Sequence, residues 1–167
     1  MYTSIKDFEA AYKQEAGSTQ KVLNAMTDAS LKQSVASDHR TLGRMAWHII
    51  TTYPEMGGNA NLKFTQVGEH APMPATAADI QKAYASVSSE LLAQVTKSWK
   101  DATLMEEKNF YGMQWKLGLM LDILIRHEVH HRGQMTVLLR QAGLKVPGVY
   151  GPAKEEWSGM GMNPPEV

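Results

Sequence analysis

Glycine and proline, which interrupt or end regular helices, are unevenly distributed along this chain. The sequence contains 13 glycines and 7 prolines; three of them precede residue 57, and nine lie at or after Gly143. Because these residues are disfavoured inside helices, long helices are expected where they are scarce. The distribution predicts a helical protein with irregular segments near 57–75, around Gly112 and after residue 143.

Apolar residues recur at helical spacing in four segments, most of which begin with a capping residue. The predicted helices run from Ser4 to about Met26, from Ser37-Asp38 to a stop at Gly57-Gly58, from Thr76 to near Trp99, and from about Gln114 to a C-cap at Gly143.

No convincing strand pair accompanies these helices, although the polar connection 101–112 has room for short extended pieces. Four amphipathic helices predict an all-α four-helix bundle, here a single domain over residues 1–167. The long loop 59–75 is compatible with a crossover connection, so a simple up-down-up-down order of the helices does not follow from the sequence pattern. Residues 143–167 are expected to form an irregular tail packed on the bundle.

The charge balance and the lack of cysteine exclude several kinds of function. The 17 Lys and Arg balance the 17 Asp and Glu, so the chain lacks the basic character that nucleic-acid binding requires. The absence of cysteine excludes disulfides, Cys-ligated zinc and a cysteine nucleophile. No apolar run reaches the ~20 residues of a membrane span, and the first residues carry charges unlike a signal peptide. A cytoplasmic protein without nucleic-acid or membrane partners is expected.

Histidine is the residue type that points to chemistry. Three of the six histidines lie within 127–131. His127 and His131 are four residues apart, so they share one helix face, and both continue an apolar stripe. Such a pair can supply two ligands to one metal ion, and a third ligand from another helix would complete the site. His48 is the best third ligand, whereas His39 and His70 are weaker candidates.

Two other interpretations of this pair remain open. Both histidines could be polar core residues bonded to Gln, Asp or backbone groups. The segment His127-Glu128-Val129-His130-His131 also matches the H-E-x-x-H motif of zinc peptidases, in which the glutamate is the general base. The longer form of that motif requires a glycine and a third histidine where this chain has Gln134 and Val137.

The residues around these histidines resemble the DinB/YfiT-like superfamily of metal-binding four-helix proteins. The resemblance rests on 127–134 (HEVHHRGQ) and its continuation to Gly143, on 42–49 and on 146–151. It implies a bundle with non-sequential helix order, a homodimer, and a divalent ion, zinc or nickel, held by His48, His127 and His131. Characterised relatives include enzymes that use low-molecular-weight thiols, such as bacillithiol or mycothiol transferases and a maleylpyruvate isomerase.

Three neutral imidazoles leave a coordination position open, which is the arrangement of a catalytic zinc site. Because the chain has no cysteine, a sulfur nucleophile would come from a cosubstrate. We therefore expect metal activation of a low-molecular-weight thiol, or of water, for attack on a small electrophilic substrate. The alternative from another class is a non-catalytic metal-binding stress-response protein, in which a closed fourth ligand would be expected.

Few other residues stand out as catalytic. Glu128 and Tyr53 are weak candidates, and Glu128 is expected to be solvated or ion-paired beside Arg126 and Arg132. A last group of side chains could line or cover the pocket, with packing as the default for each: Trp47, Gln134, Tyr150 and Trp157.

Overall fold

Four α-helices make up most of the structure, a computed structural model that describes residues 1–166. Three of them begin after a Ser or Thr whose side chain accepts a hydrogen bond from the backbone N–H three residues on, as a helix N-cap does. None of the helices in this part of the chain is long and apolar enough to cross a bilayer. The helices are α1 (Ile5–Asn24), α2 (Leu42–Asn59), α3 (Ala77–Ser98) and α4 (Leu117–Gln141).

The helices are not arranged in sequence order. Both α1 and α2 pack mainly against α3 and α4, so α1 and α2 stand diagonally across the bundle. This packing confirms the predicted four-helix bundle with a crossover. The crossing segments are 25–41 and 99–116, however, whereas the long loop after α2 joins two neighbouring helices.

The prediction that no strand pair exists is wrong. Strands β1 (Glu107–Phe110) and β2 (Met113–Lys116) form an antiparallel hairpin directly before α4. Its two turn residues, Tyr111 and Gly112, have φ values of 54° and 82°, the conformation that two-residue hairpin turns favour. Each strand has only four residues, too few for an alternating pattern to be recognised. Because 114–116 pair in β2, α4 begins later than predicted.

Helix α2 differs from the prediction at both ends. It begins after Thr41 rather than after Ser37-Asp38, and it continues through Gly57-Gly58 to Asn59. A Cβ atom on Gly57 would lie 2.7 Å from Cε2 of Phe64. The absence of a side chain at Gly57 therefore serves close packing of the following loop, not helix termination.

The C-terminal end of α4 follows the prediction. Gly143 has a φ of 75°, and its N–H donates to the carbonyl of Arg140 at 3.0 Å. Beyond it, residues 144–166 are irregular apart from two short 3₁₀ turns. An ion pair between Arg140 and Glu155 ties this segment to the end of α4.

The first turn of α4 contacts the N-terminal segment through Gly118. A Cβ atom there would lie 2.0 Å from the carbonyl oxygen of Tyr2. We expect Gly118→Ala to lower the free energy of unfolding by about 1–3 kcal/mol, as overpacking does, measured by urea denaturation. Gly17→Ala is the matched control, because a Cβ on Gly17 meets open space. That variant should gain about 0.5–1 kcal/mol, and equal effects of the two substitutions would contradict the packing argument.

Candidate metal centre

Three imidazoles meet where α2 faces α4. His48 comes from α2, and His127 and His131 come from successive turns of α4. The Nε2 atom of His127 lies 3.1 Å from Nε2 of His48 and 3.1 Å from Nε2 of His131. The ligand atoms of all three lie within 4.8 Å of one another. The structure thus brings together the three histidines selected from the sequence, which we call the histidine trio.

The surroundings of the histidine trio favour neutral imidazoles. Burial lowers the pKa of His48 to about 4, and the charge of Arg40 acts in the same direction. Burial and the neighbouring His131 lower the pKa of His127 to about 4. The pKa of His131 is also lowered by burial, although a hydrogen bond to Gln134 partly opposes this. Neutral imidazole nitrogens carry the lone pairs that metal ions require.

Hydrogen bonds alone do not satisfy the histidine trio. The Nδ1–H of His131 donates to Oε1 of Gln134 at 2.7 Å, which leaves its Nε2 with a lone pair. Nε2 of His127 lies beside this lone pair and also beside Nε2 of His48. A protonated Nε2 can donate its one proton to only one of these two neighbours. The Nδ1 atom of His127 is buried without any partner. Neither tautomer of neutral His127 therefore satisfies both of its nitrogens.

A cation between the three Nε2 atoms would use their lone pairs at once, and His127 would then carry its proton on Nδ1, which has no partner among residues 1–166. Zinc–nitrogen bonds of about 2.0–2.1 Å in a tetrahedral set place the ligand nitrogens roughly 3.3 Å apart. The 3.1 Å separations in the histidine trio are close to that value. The donor set, its protonation state and two of its three separations therefore fit a divalent transition-metal ion, and all three ligand atoms lie within 4.8 Å of one another.

Gln134 orients the imidazole of His131. Its carbonyl oxygen accepts from His131, and its amide nitrogen lies 3.1 Å from Nε2 of the exposed His130. With the amide nitrogen donating to His130, the carbonyl oxygen is directed at His131. Groups that fix the tautomer of a ligating histidine in this way commonly tune metal affinity.

Glu128 is not solvated or ion-paired at the surface, so that prediction is wrong. Only 2 % of its surface is exposed. One carboxylate oxygen accepts from Thr19 at 2.5 Å and from Tyr84 at 2.7 Å, and the other accepts a short hydrogen bond from Tyr53. Burial raises the pKa of Glu128, while the three hydroxyls and the charge of Arg132 lower it. Tyr53, the other weak catalytic candidate, belongs to this buried cluster.

Arg132 is a second buried charged residue of α4. Its guanidinium donates to Thr19 at 3.1 Å, to the carboxylate of Glu15 at 2.6 Å and to the hydroxyl of Tyr150 at 2.7 Å. Thr19 therefore stands between Arg132 and Glu128. Tyr150 anchors the C-terminal segment to α1 and α4 and does not contact the histidine trio.

The remaining candidates do not belong to the histidine trio. His39 pairs with Asp38, His70 lies beside Glu69, and the side chains of both histidines are largely exposed. Trp47 donates its indole N–H to the carbonyl of Ala71 at 2.8 Å and so fixes the loop after α2.

A cavity of about 600 Å³ opens beside the histidine trio. His131 and Gln134 line it from α4, and Val35 and residues 38–40 line it from the segment before α2. A small molecule in this cavity would reach the histidine trio from the His131 side. Arg40, which lines the cavity, was not singled out from the sequence, because an exposed arginine before a helix carries no motif.

Fold and site together define a four-helix-bundle protein with a three-histidine candidate metal site. The sequence model of the DinB family matches residues 1–166, and the chain belongs to this family. It is 44% identical to the uncharacterized protein YrdA of Bacillus subtilis strain 168 over 167 residues, which cover both chains completely.

Two solved structures share the fold. The chain is 43% identical to a DinB-like protein from Bacillus cereus ATCC 10987, with a TM-score of 0.86 over 90% of this chain and 100% of that one. The DinB-like protein YjoA of Bacillus subtilis is 15% identical, with a TM-score of 0.67 over 86% of this chain and 97% of that one. The second similarity concerns the fold alone.

The contact between Gln134 and His131 gives a first prediction for the site. Gln134→Leu removes the acceptor for the Nδ1–H of His131, and we expect zinc affinity to fall about 10–100-fold. Competition with a chromophoric chelator measures this change. Gln134→Glu keeps an acceptor oxygen and should bind zinc about as tightly as the parent. A Leu variant with parental affinity would show that Gln134 has no orienting role.

The hydroxyl cluster around Glu128 gives a second prediction. Glu128→Gln replaces an accepting oxygen by an NH₂ group, so at least one buried hydroxyl loses its acceptor. We expect the free energy of unfolding to fall by about 1–3 kcal/mol, measured by urea denaturation. Glu106→Gln, at an exposed position, is the control and should leave stability unchanged. Equal stability of the two variants would contradict the structural role of the buried carboxylate.

Proposed function

We propose that this DinB-family protein is a metal-dependent enzyme that activates a low-molecular-weight thiol, or water, for attack on a small electrophilic substrate. His48, His127 and His131 would hold the ion, zinc or nickel. One observation carries this proposal: among residues 1–166, the histidine trio has no fourth His, Cys, Asp or Glu ligand. Catalytic zinc sites keep such a position open, whereas structural sites close it.

The ion, when bound, would supply Lewis acidity and lower the pKa of a thiol or water that it takes as a ligand. The chain's own residues have supporting roles. Burial keeps His48 and His127 neutral, and Gln134 holds the ring of His131 with its Nε2 directed at the other two. Because the chain has no cysteine, the sulfur nucleophile must enter from outside, and the adjoining cavity has room for it.

The buried state of Glu128 argues against a peptidase. The general base of H-E-x-x-H enzymes must contact the attacking water at the metal. Here that glutamate points into the core and is occupied by the hydroxyls of Thr19, Tyr53 and Tyr84. The motif therefore supplies its two histidines without its base.

Metal content tests the ligand set. Elemental analysis of untagged protein should find close to one zinc or nickel ion per chain in the parent. His48→Ala and His131→Ala should lose it, because each removes one of three ligands. His39→Ala is the control, since His39 lies outside the histidine trio, and should keep the ion. Metal-free parent protein in the presence of excess zinc and nickel would refute the proposal.

Turnover tests the reaction separately. Conjugation of bacillithiol to monobromobimane, followed by fluorescence, should exceed the uncatalysed rate, and the excess should disappear with a chelator and in His48→Ala. Metal-loaded protein that is inert with thiols and hydrolysable esters alike would instead be a non-catalytic metal-binding protein. The expected homodimer belongs to the same proposal, and sedimentation equilibrium measures it.

A further inference from the structure

The cavity beside the histidine trio combines apolar and cationic surface. Its apolar side chains include two that are strongly exposed, Val35 at 61% and Val137 at 54%. One comes from the segment before α2 and the other from α4. Covering large exposed apolar side chains is favourable, so these two valines favour a ligand with an apolar portion.

The cavity lining contains one guanidinium, that of Arg40. Arg40 lines it and is exposed, and the ion pairs of residues 1–166 include none with Arg40. Asp38 is the one acidic residue in the lining. Oδ1 of Asp38 lies 2.7 Å from Nδ1 of His39, and no ion pair within residues 1–166 joins Asp38 to Arg40. A guanidinium without a partner beside apolar surface is suited to a carboxylate, whose two oxygens match its paired N–H groups.

Arg40 also lies close enough to the histidine trio to act on the same ligand. His131 lines the same cavity as Arg40. One small molecule can therefore contact both Arg40 and the edge of the histidine trio.

We propose that this cavity binds a small carboxylate with an apolar body, and that Arg40 is the residue that selects the carboxylate. The apolar body lies between Val35 and Val137. The inference rests on the proposed function, since it names the chemical class of a reactant for the histidine trio. It adds a specificity-determining residue that lies outside the metal ligands.

Binding of a matched pair of probes tests this without turnover. Hexanoate and hexanamide have the same apolar body and differ in charge. In zinc-loaded protein, amide chemical shifts of residues 35–40 and 134–138 should report hexanoate binding about tenfold more tightly than hexanamide, the scale of one hydrogen bond to a charged group. Metal-free protein should show the same preference, because the preference belongs to Arg40.

Substitutions at Arg40 and Arg44 distinguish a direct contact between Arg40 and the carboxylate from a long-range electrostatic effect of nearby arginines. Arg40→Gln should abolish the preference for hexanoate, and Arg40→Lys, which keeps the charge but not the paired N–H groups, should retain part of it. Arg44→Gln is the control: Arg44 is exposed and lacks an ion pair within residues 1–166, but it does not line the cavity. That variant should keep the preference nearly intact.

The outcomes distinguish this inference from the proposed function. Equal binding of hexanoate and hexanamide to the parent, or a preference that survives in Arg40→Gln, overturns the role of Arg40 whether or not the protein turns over thiols. A preference that depends on Arg40 in a protein without thiol or hydrolytic activity supports the anion site and leaves only the proposed reaction refuted.

Discussion

The carboxylate of Glu128 is the point at which all four helices are joined. It accepts hydrogen bonds from Thr19 of α1, Tyr53 of α2 and Tyr84 of α3, and it belongs to α4 itself. Burying a carboxylate costs several kcal/mol unless its oxygens are well bonded, and here three hydroxyls and the nearby charge of Arg132 offset the cost. The bond directions fix the rotation of α4 about its axis. With Glu128 directed at the core, the neighbouring His127 and His131 face α2 and His48.

Most of the histidine trio could be predicted from the sequence, because the spacing of two of its ligands within one helix is visible there. Two histidines four residues apart on an apolar stripe share one face of a helix whatever the rest of the chain does. The partner on α2 required a guess about which helices meet, and the family resemblance pointed to the same residue. Gln134 was noticed only as a possible pocket residue, since its hydrogen bond to His131 depends on side-chain orientation.

The error at Glu128 came from judging charged residues by their type rather than by their position. Glu128 and Arg132 continue a second stripe of α4, and its other members are buried apolar residues. A polar residue at a core position of such a stripe must be buried when the helix packs, so it needs hydrogen-bond partners inside the protein. Those partners, Thr19 and Tyr84, are far away in sequence, which is why no local pattern revealed them. The stripe consists of Leu117, Leu121, Leu124, Glu128, Arg132, Met135 and Leu139.

Because α1 and α2 are diagonal, α2 packs directly against α4, and the histidine trio joins two helices that are not consecutive in the chain. His48 and His127 are 79 residues apart in sequence, and α3 and the hairpin lie between them. Contacts over such separations form late, after the entropy of closing a long loop has been offset by other contacts. A fragment containing α4 alone would keep only two of the three nitrogens. Tight ion binding would thus be a property of the finished tertiary structure, and ion uptake during refolding would mark its completion.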